Sequence, residues 1–237
     1  MKRATELILA LDVDSYVRAI RWVKLLLPQV RIFKVGLGLY TACGPKIIRD
    51  IRKLGAQVFL DLKFNDIPNT MVNAAKEALR HKVAMLTVHT LSGPTALKEV
   101  ARACKGARVK VLGVTILTSI CPHFLQGLKI KRTLQEEVMY LAKMAKECGL
   151  GGVVCSVQEA KMIRQQTGEG FTIVTPGIRP KGAKRNDQKR AATPKEAALA
   201  GADFIVVGRP ILEAKDPLKA VQEILQEISG EQDARRN

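Results

Sequence analysis

The residues best suited to chemistry gather in one stretch, AQVFLDLKFNDIPNT, running from Ala56 to Thr70. An apolar run there ends in three charged residues, Asp61, Lys63 and Asp66. Side chains alternate faces along a strand, so Asp61 and Lys63 share one face, with Phe59 deeper on the same side and Val58 and Leu60 on the other. Asp66 falls just beyond, where the strand gives way to a loop, and Pro68 suits the first turn of a helix. A lone D-x-K is commonly an ion pair at a strand end. A third charge, with so apolar a strand behind it, favours a charge network over packing.

Other elements must hold that stretch in place. Apolar runs of strand length recur at Leu7–Leu11, Ile32–Val35, Val58–Leu62, Ala84–Val88, Val109–Ile116, Gly152–Cys155, Phe171–Val174 and Phe204–Val207. Between and after them lie segments of helical character: Tyr16–Leu27, Pro45–Leu54, Met71–Arg80, Thr95–Cys104, Leu134–Cys148, Val157–Gln166, Pro194–Ala200 and Leu218–Ile228. Continuous apolar strands alternating with helices indicate a parallel sheet covered by helices. Eight such units predict one α/β domain, a closed (β/α)8 TIM barrel over residues 1–228, with a polar, frayed tail at 229–237. A doubly wound open sheet is the alternative, but no G-x-G-x-x-G follows the first strand.

In a barrel the chemistry sits where strands end and βα loops begin, and polar residues collect there. They are Asp12, Lys34, Asp61 with Lys63, His89, Thr118 with Ser119, Arg179, and Gly208-Arg209. Asp12 could instead cap the helix after it, a role open also to Asp14 or Ser15. Lys34, inside an apolar strand, is costly unless it meets a carboxylate. A strand-end His such as His89 often only hydrogen-bonds its surroundings, and Cys155 reads as a small buried apolar residue.

The segment Pro176–Arg190, PGIRPKGAKRNDQKR, concentrates Arg179, Lys181, Lys184, Arg185, Lys189 and Arg190. It suits a mobile lid over an anion, and equally a solvated loop or a nucleic-acid patch. The run Val206-Val207-Gly208-Arg209-Pro210 sets a glycine amide and an Arg at a helix start, which favours phosphate. The chain carries a net charge of +17 over 237 residues, pointing to a polyanion or an anionic small substrate. Only 4% of residues are aromatic and no zinc-finger spacing is present, which argues against nucleic acid. Five cysteines without a C-x-x-C pair suggest a reducing compartment, hence a cytoplasmic protein, and no apolar stretch reaches membrane-span length.

The run DLKFNDIPNT resembles the active-site segment of the orotidine 5′-phosphate decarboxylase family, whose bacterial form usually reads D-L-K-x-H-D-I-P-N-T, with Asn65 in place of the His. LALD, FKVG, TPGIR with Asp187-Gln188, and VVGRPI extend the resemblance over nearly the whole chain. It implies a homodimer that decarboxylates orotidine 5′-phosphate to UMP and CO2 in de novo pyrimidine biosynthesis, with no cofactor and no metal. Lys63 would be the proton donor, flanked by Asp61 and by Asp66 from the partner subunit, with Lys34 in the charge network. Asp12 would contact the ribose and Thr118 the pyrimidine, Thr70 would belong to the substrate-binding set, and Arg179, Gln188, Gly208 and Arg209 would hold the phosphate. HTLSGP at His89 departs from the H-A-x-G-G form more usual in the family, so His89 receives no role. The rivals are a magnesium-dependent sugar-phosphate decarboxylase or synthase of the same superfamily, sharing D-x-K-x-x-D, and a basic nucleic-acid-binding barrel.

Overall fold

The computed structural model describes residues 4–180 and 190–234. Its centre is a parallel sheet of β1 (Glu6–Ala10), β2 (Ile32–Gly36), β3 (Gln57–Phe64), β4 (Met85–His89), β5 (Lys110–Val114), β6 (Gly152–Val154), β7 (Thr172–Thr175) and β8 (Phe204–Val207). The strands pair in chain order and β1 closes on β8, so the expected barrel forms. Its strands bury apolar residues on both faces. Ile8, Ala10, Ile32, Phe59, Met85, Leu112, Val174, Phe204 and Val206 fill the interior. The alternate residues, among them Leu7, Leu9, Phe33, Val35, Val58 and Leu60, pack outward into the larger core. Phe59 therefore lies beneath Asp61 and Lys63 on the inner face, as the alternation predicts.

The outer ring comprises α1 (Tyr16–Leu26), α2 (Leu37–Cys43), α3 (Lys46–Lys53), α4 (Pro68–Arg80), α5 (Gly93–Ala103), α6 (Pro122–Gly127), α7 (Leu134–Glu147), α8 (Val157–Thr167), α9 (Pro194–Leu199), α10 (Arg209–Leu212) and α11 (Pro217–Ala234). Capping boxes open α7, α8 and α9, each a Ser or Thr paired with the Glu three residues on: Thr133 with Glu136, Ser156 with Glu159, Thr193 with Glu196. At α1 the cap is Ser15, whose hydroxyl accepts the Arg18 amide at 3.4 Å, so Asp12 is not needed there.

Several elements differ from expectation. The short α2, α6 and α10 have too few turns to leave a hydrophobic period in the sequence. The third strand does not stop at Leu62 but continues through the charged residues to Phe64. The last helix passes the expected end at Ile228 and runs to Ala234. There the Ser229 hydroxyl donates to the Leu225 carbonyl one turn back at 2.8 Å, so the first polar residue of the tail joins the helix.

Candidate active site

Strands β1 to β3 place a chain of alternating charges at the carboxyl end of the barrel. Register sets Lys34 beside Ala10 on one side and Phe59 on the other, and Gly36 beside Asp61. Lys34 Nζ lies 3.2 Å from Asp12 Oδ1 and 3.6 Å from Asp61 Oδ2, while Lys63 Nζ lies 2.9 Å from Asp61 Oδ1. A Cβ at Gly36 would lie 3.0 Å from Lys34 Nζ, so a larger residue there would press on the network. The side chains of Lys34 and Asp61 are only 12% and 13% exposed, so each charge needs the other. Burial pushes the Asp61 carboxyl up, but the Lys34 and Lys63 charges, with hydrogen bonds from Lys63 and Thr87, outweigh it. Asp61 is held below the usual carboxylate range and stays ionised.

Lys63 does not reach this position by simple alternation. Pairing of β3 with β4 shifts register between Leu60 and Phe64, and Lys63 takes φ +51°, a left-handed conformation unfavourable for a residue with a Cβ. Thr87 compensates for that bulge. Its hydroxyl accepts the Lys63 amide at 2.9 Å and donates to Asp61 Oδ1 at 3.0 Å. Sequence reasoning missed Thr87; its only trace is one hydroxyl inside the apolar strand MLTVH, buried to 1% exposure.

These charges open into a cavity of about 340 Å³ lined by Asp12, Lys34, Asp61, Lys63, Thr118, Ser119, Arg179, Gly208 and Arg209, with Phe59, Val154, Cys155 and Val206 among its apolar walls. Eight of the eleven residues expected to form the site therefore line one space. Arg179 is itself buried and donates to the Ile178 carbonyl at 2.8 Å. Gly208 passes close to the network, since a Cβ there would lie 3.4 Å from Asp12 Oδ2. Because α10 is a single turn of four residues, the Arg209 guanidinium rather than a helix dipole supplies most of the positive charge beside it. Cys155 is a buried wall residue whose thiol is pushed up by burial. A cavity lined by arginines, a lysine–carboxylate network and apolar residues suits a small phosphorylated molecule with an apolar, planar part.

The model for the Orotidine 5′-phosphate decarboxylase / HUMPS family matches residues 5–224. The chain belongs to that family. An orotidine 5′-phosphate decarboxylase from Syntrophotalea carbinolica is 48% identical to it over 95% of each chain. One from Geotalea daltonii is 47% identical, over 94% of this chain and 95% of its own. Among solved structures, orotidine 5′-phosphate decarboxylase from Lactobacillus acidophilus superposes with a TM-score of 0.80 at 36% identity, covering 94% of this chain and 99% of its own.

Among the described residues, two expected residues of this family member stand outside the cavity lining. Asp66 is exposed, and its Oδ1 accepts the Ile67 amide at 2.7 Å. Thr70 is exposed on α4. Gln188 lies outside the described residues, as do Lys181, Lys184, Arg185, Asp187 and Lys189. His89 does not line the cavity; its Nδ1 accepts the Leu91 amide at 3.3 Å, and burial together with the Lys63 charge lowers its pKa. The two departures from the family's usual sequence meet in space: the Ser92 hydroxyl donates to Asn65 Oδ1 at 2.8 Å, tying the loop after β3 to the one after β4.

Proposed function

We propose that this chain decarboxylates orotidine 5′-phosphate to UMP and CO2, a step of de novo pyrimidine biosynthesis, with Lys63 as the proton donor. The observation that carries it is the Lys63–Asp61 pair at 2.9 Å, facing a cavity that also holds Arg179 and Arg209. The name borne by relatives at 47–48% identity favours the nucleotide enzyme over the sugar-phosphate one within the family. When the bond between C6 and the carboxylate breaks, CO2 leaves and the electron pair stays on C6 in the plane of the ring. The ring π system cannot take up that pair, so the Lys63 ammonium stabilises it and then transfers a proton to C6. Asp61, ionised and buried, stands near the departing carboxylate and disfavours the ground state more than the transition state. Arg179, Gln188, Gly208 and Arg209 hold the phosphate; Asp12 and Thr70 contact the nucleotide elsewhere, and Thr118 meets the pyrimidine. Lys34 sits between Asp12 and Asp61, so both carboxylates already face a cation of the protein itself, which favours chemistry without a metal.

The enzyme works as a homodimer in which Asp66 completes the partner's site. In support, Asp66 is exposed and does not line its own cavity, and the segments after three neighbouring strands leave Leu37, Ile67 and Leu91 58%, 67% and 56% exposed. Apolar side chains grouped on one rim are the kind of surface a subunit contact covers. The odd number of cysteines, all free, fits the cytoplasm. Among the described residues no helix is long and apolar enough to cross a membrane.

The test is to mix the protein with orotidine 5′-phosphate and follow absorbance at the orotate band. Loss of absorbance, unaffected by EDTA, is expected. No reaction, or a reaction abolished by EDTA and restored by magnesium, would favour the sugar-phosphate enzyme. Tight, sequence-blind DNA binding with a steep salt dependence would point to the nucleic-acid alternative.

A further inference from the structure

Arg190 takes no part in the site described above, yet it is set into the structure with unusual care. Its side chain is 10% exposed, and its Nη1 donates to Glu159 Oε1 at 2.5 Å. Glu159 is 1% exposed, and its other oxygen is occupied by the capping box, accepting the Ser156 amide at 3.1 Å and the Ser156 hydroxyl. The second amino group of Arg190 reaches the carbonyls of Ile116 and Leu117 at 3.5 and 3.4 Å. Its Nε is buried without a hydrogen-bond partner among the described residues. A buried ion pair with an orphaned N–H is a poor way to gain stability, because desolvation offsets most of the attraction. A role in placement explains it better.

The groups that Arg190 joins belong to the cavity lining or follow it directly in the chain. Ile116 and Leu117 lead directly into Thr118 and Ser119, and all four line it. Ser156 and Glu159 open α8, directly after Cys155 in the cavity wall. Two residues beyond Arg190, Ala192 is bridged to Ile178: the Arg179 amide donates to its carbonyl at 2.8 Å, and its amide donates to the Gly177 carbonyl at 3.4 Å. One side chain thus ties the loops after β5 and β6 to the stem that presents Arg179.

We propose that Arg190 is a positioning residue for the reaction: held by Glu159, it fixes the loop carrying Thr118 against the segment carrying Arg179, without touching substrate itself. The proposal presupposes the decarboxylase reaction, and the experiment separates the two. The kcat/KM for orotidine 5′-phosphate is measured for the parent, Arg190→Ala, Thr118→Ala, Arg209→Ala, and the doubles of Arg190→Ala with each of the others. Thermal midpoints are recorded alongside, and assays run well below them. A parent without activity would defeat the decarboxylase function itself. Given an active parent, Arg190→Ala should lower kcat/KM by about 100-fold, the cost of a misplacement on the order of 1 Å. Thr118→Ala should then cost much less in the Arg190→Ala background than in the parent, whereas Arg209→Ala should cost the same in both, to within about twofold. Arg190→Lys keeps the charge facing Glu159 but loses the fork that reaches the two carbonyls, and should show the same coupling at a smaller loss. If Arg190→Ala does not fold, the cycle on Arg190→Lys decides. Additivity with Thr118, or a lowered midpoint with unchanged kcat/KM, overturns the proposal. Strong coupling to Arg209 overturns it too, because it would make Arg190 a phosphate contact.

Discussion

Thr87 and Asp61, 26 residues apart in the chain, share one hydrogen bond of 3.0 Å, and the same hydroxyl accepts the amide of Lys63. A buried threonine thereby holds both the carboxylate and the bulged backbone of the two residues central to the chemistry. Thr87→Val keeps the shape and removes both bonds. Leaving the Lys63 amide and one lone pair of Asp61 unsatisfied costs about 1–3 kcal/mol. We expect kcat to fall about tenfold or more, with little change in KM. Steady-state kinetics settles it, and an unchanged kcat would mean that the bulge holds without the hydroxyl.

The depressed pKa of Asp61 makes a signed statement about stability. Its folded carboxyl titrates below the ordinary value of 3.8, so the unfolded chain binds the proton first as acid is added. The network's contribution is fully present above the unfolded value and is lost as pH falls through the folded one. Urea unfolding from about pH 7 down to pH 3 should show the parent losing stability relative to Asp61→Asn only in the acid part of that range. Lys34→Met removes one of the two cations that depress the group, so its folded value moves back towards the unfolded one, and the acid-dependent loss should be smaller and end at a higher pH. If both proteins lose stability over the same pH interval, Lys34 does not set the Asp61 ionisation.

Arg209 offers a guanidinium to the cavity beside Gly208. Arg209→Ala should cost on the order of 2–4 kcal/mol in kcat/KM through lost charge-assisted contacts to the phosphate. The comparison that matters is with a substrate lacking the phosphate. Should the variant prefer the phosphorylated substrate as strongly as the parent does, Arg209 is not its phosphate ligand.

Asp66 gives the sharpest test of a shared site. Lys63→Ala and Asp66→Ala are each expected to be inactive alone. In a mixed dimer one site collects both defects and the other has both residues intact. Random exchange of equal amounts makes about half the dimers mixed, so roughly a quarter of all sites should regain activity. With exchange demonstrated by mass spectrometry, activity at the level of the single variants would place Asp66 in its own subunit's chemistry.

Much of this protein can be read along the chain. Eight apolar strands separated by helical segments imply a parallel sheet covered by helices, and eight such units with no G-x-G-x-x-G after the first strand favour the closed barrel over an open sheet. The strand-end rule then names ten residues, and nine of them, Asp12, Lys34, Asp61, Lys63, Thr118, Ser119, Arg179, Gly208 and Arg209, meet in one cavity that His89 does not line. These features are legible because they depend on local periodicity and on the direction of parallel strands, both properties of short stretches of sequence.

Tertiary structure decided the rest. Strand alternation puts Asp61 and Lys63 on one face but does not foresee the bulge, since a bulge arises from how β3 pairs with β4. Thr87 acquires its importance only because that pairing brings it beneath the bulge, and Arg190 only because the barrel sets Glu159 and the carbonyls after β5 within its reach. Asp12, able by sequence to cap a helix, becomes Lys34's partner because Ser15 takes the cap. A hydrogen bond or ion pair between distant residues leaves no period in the sequence. Its partners are fixed by register and closure, which exist only once the chain has folded.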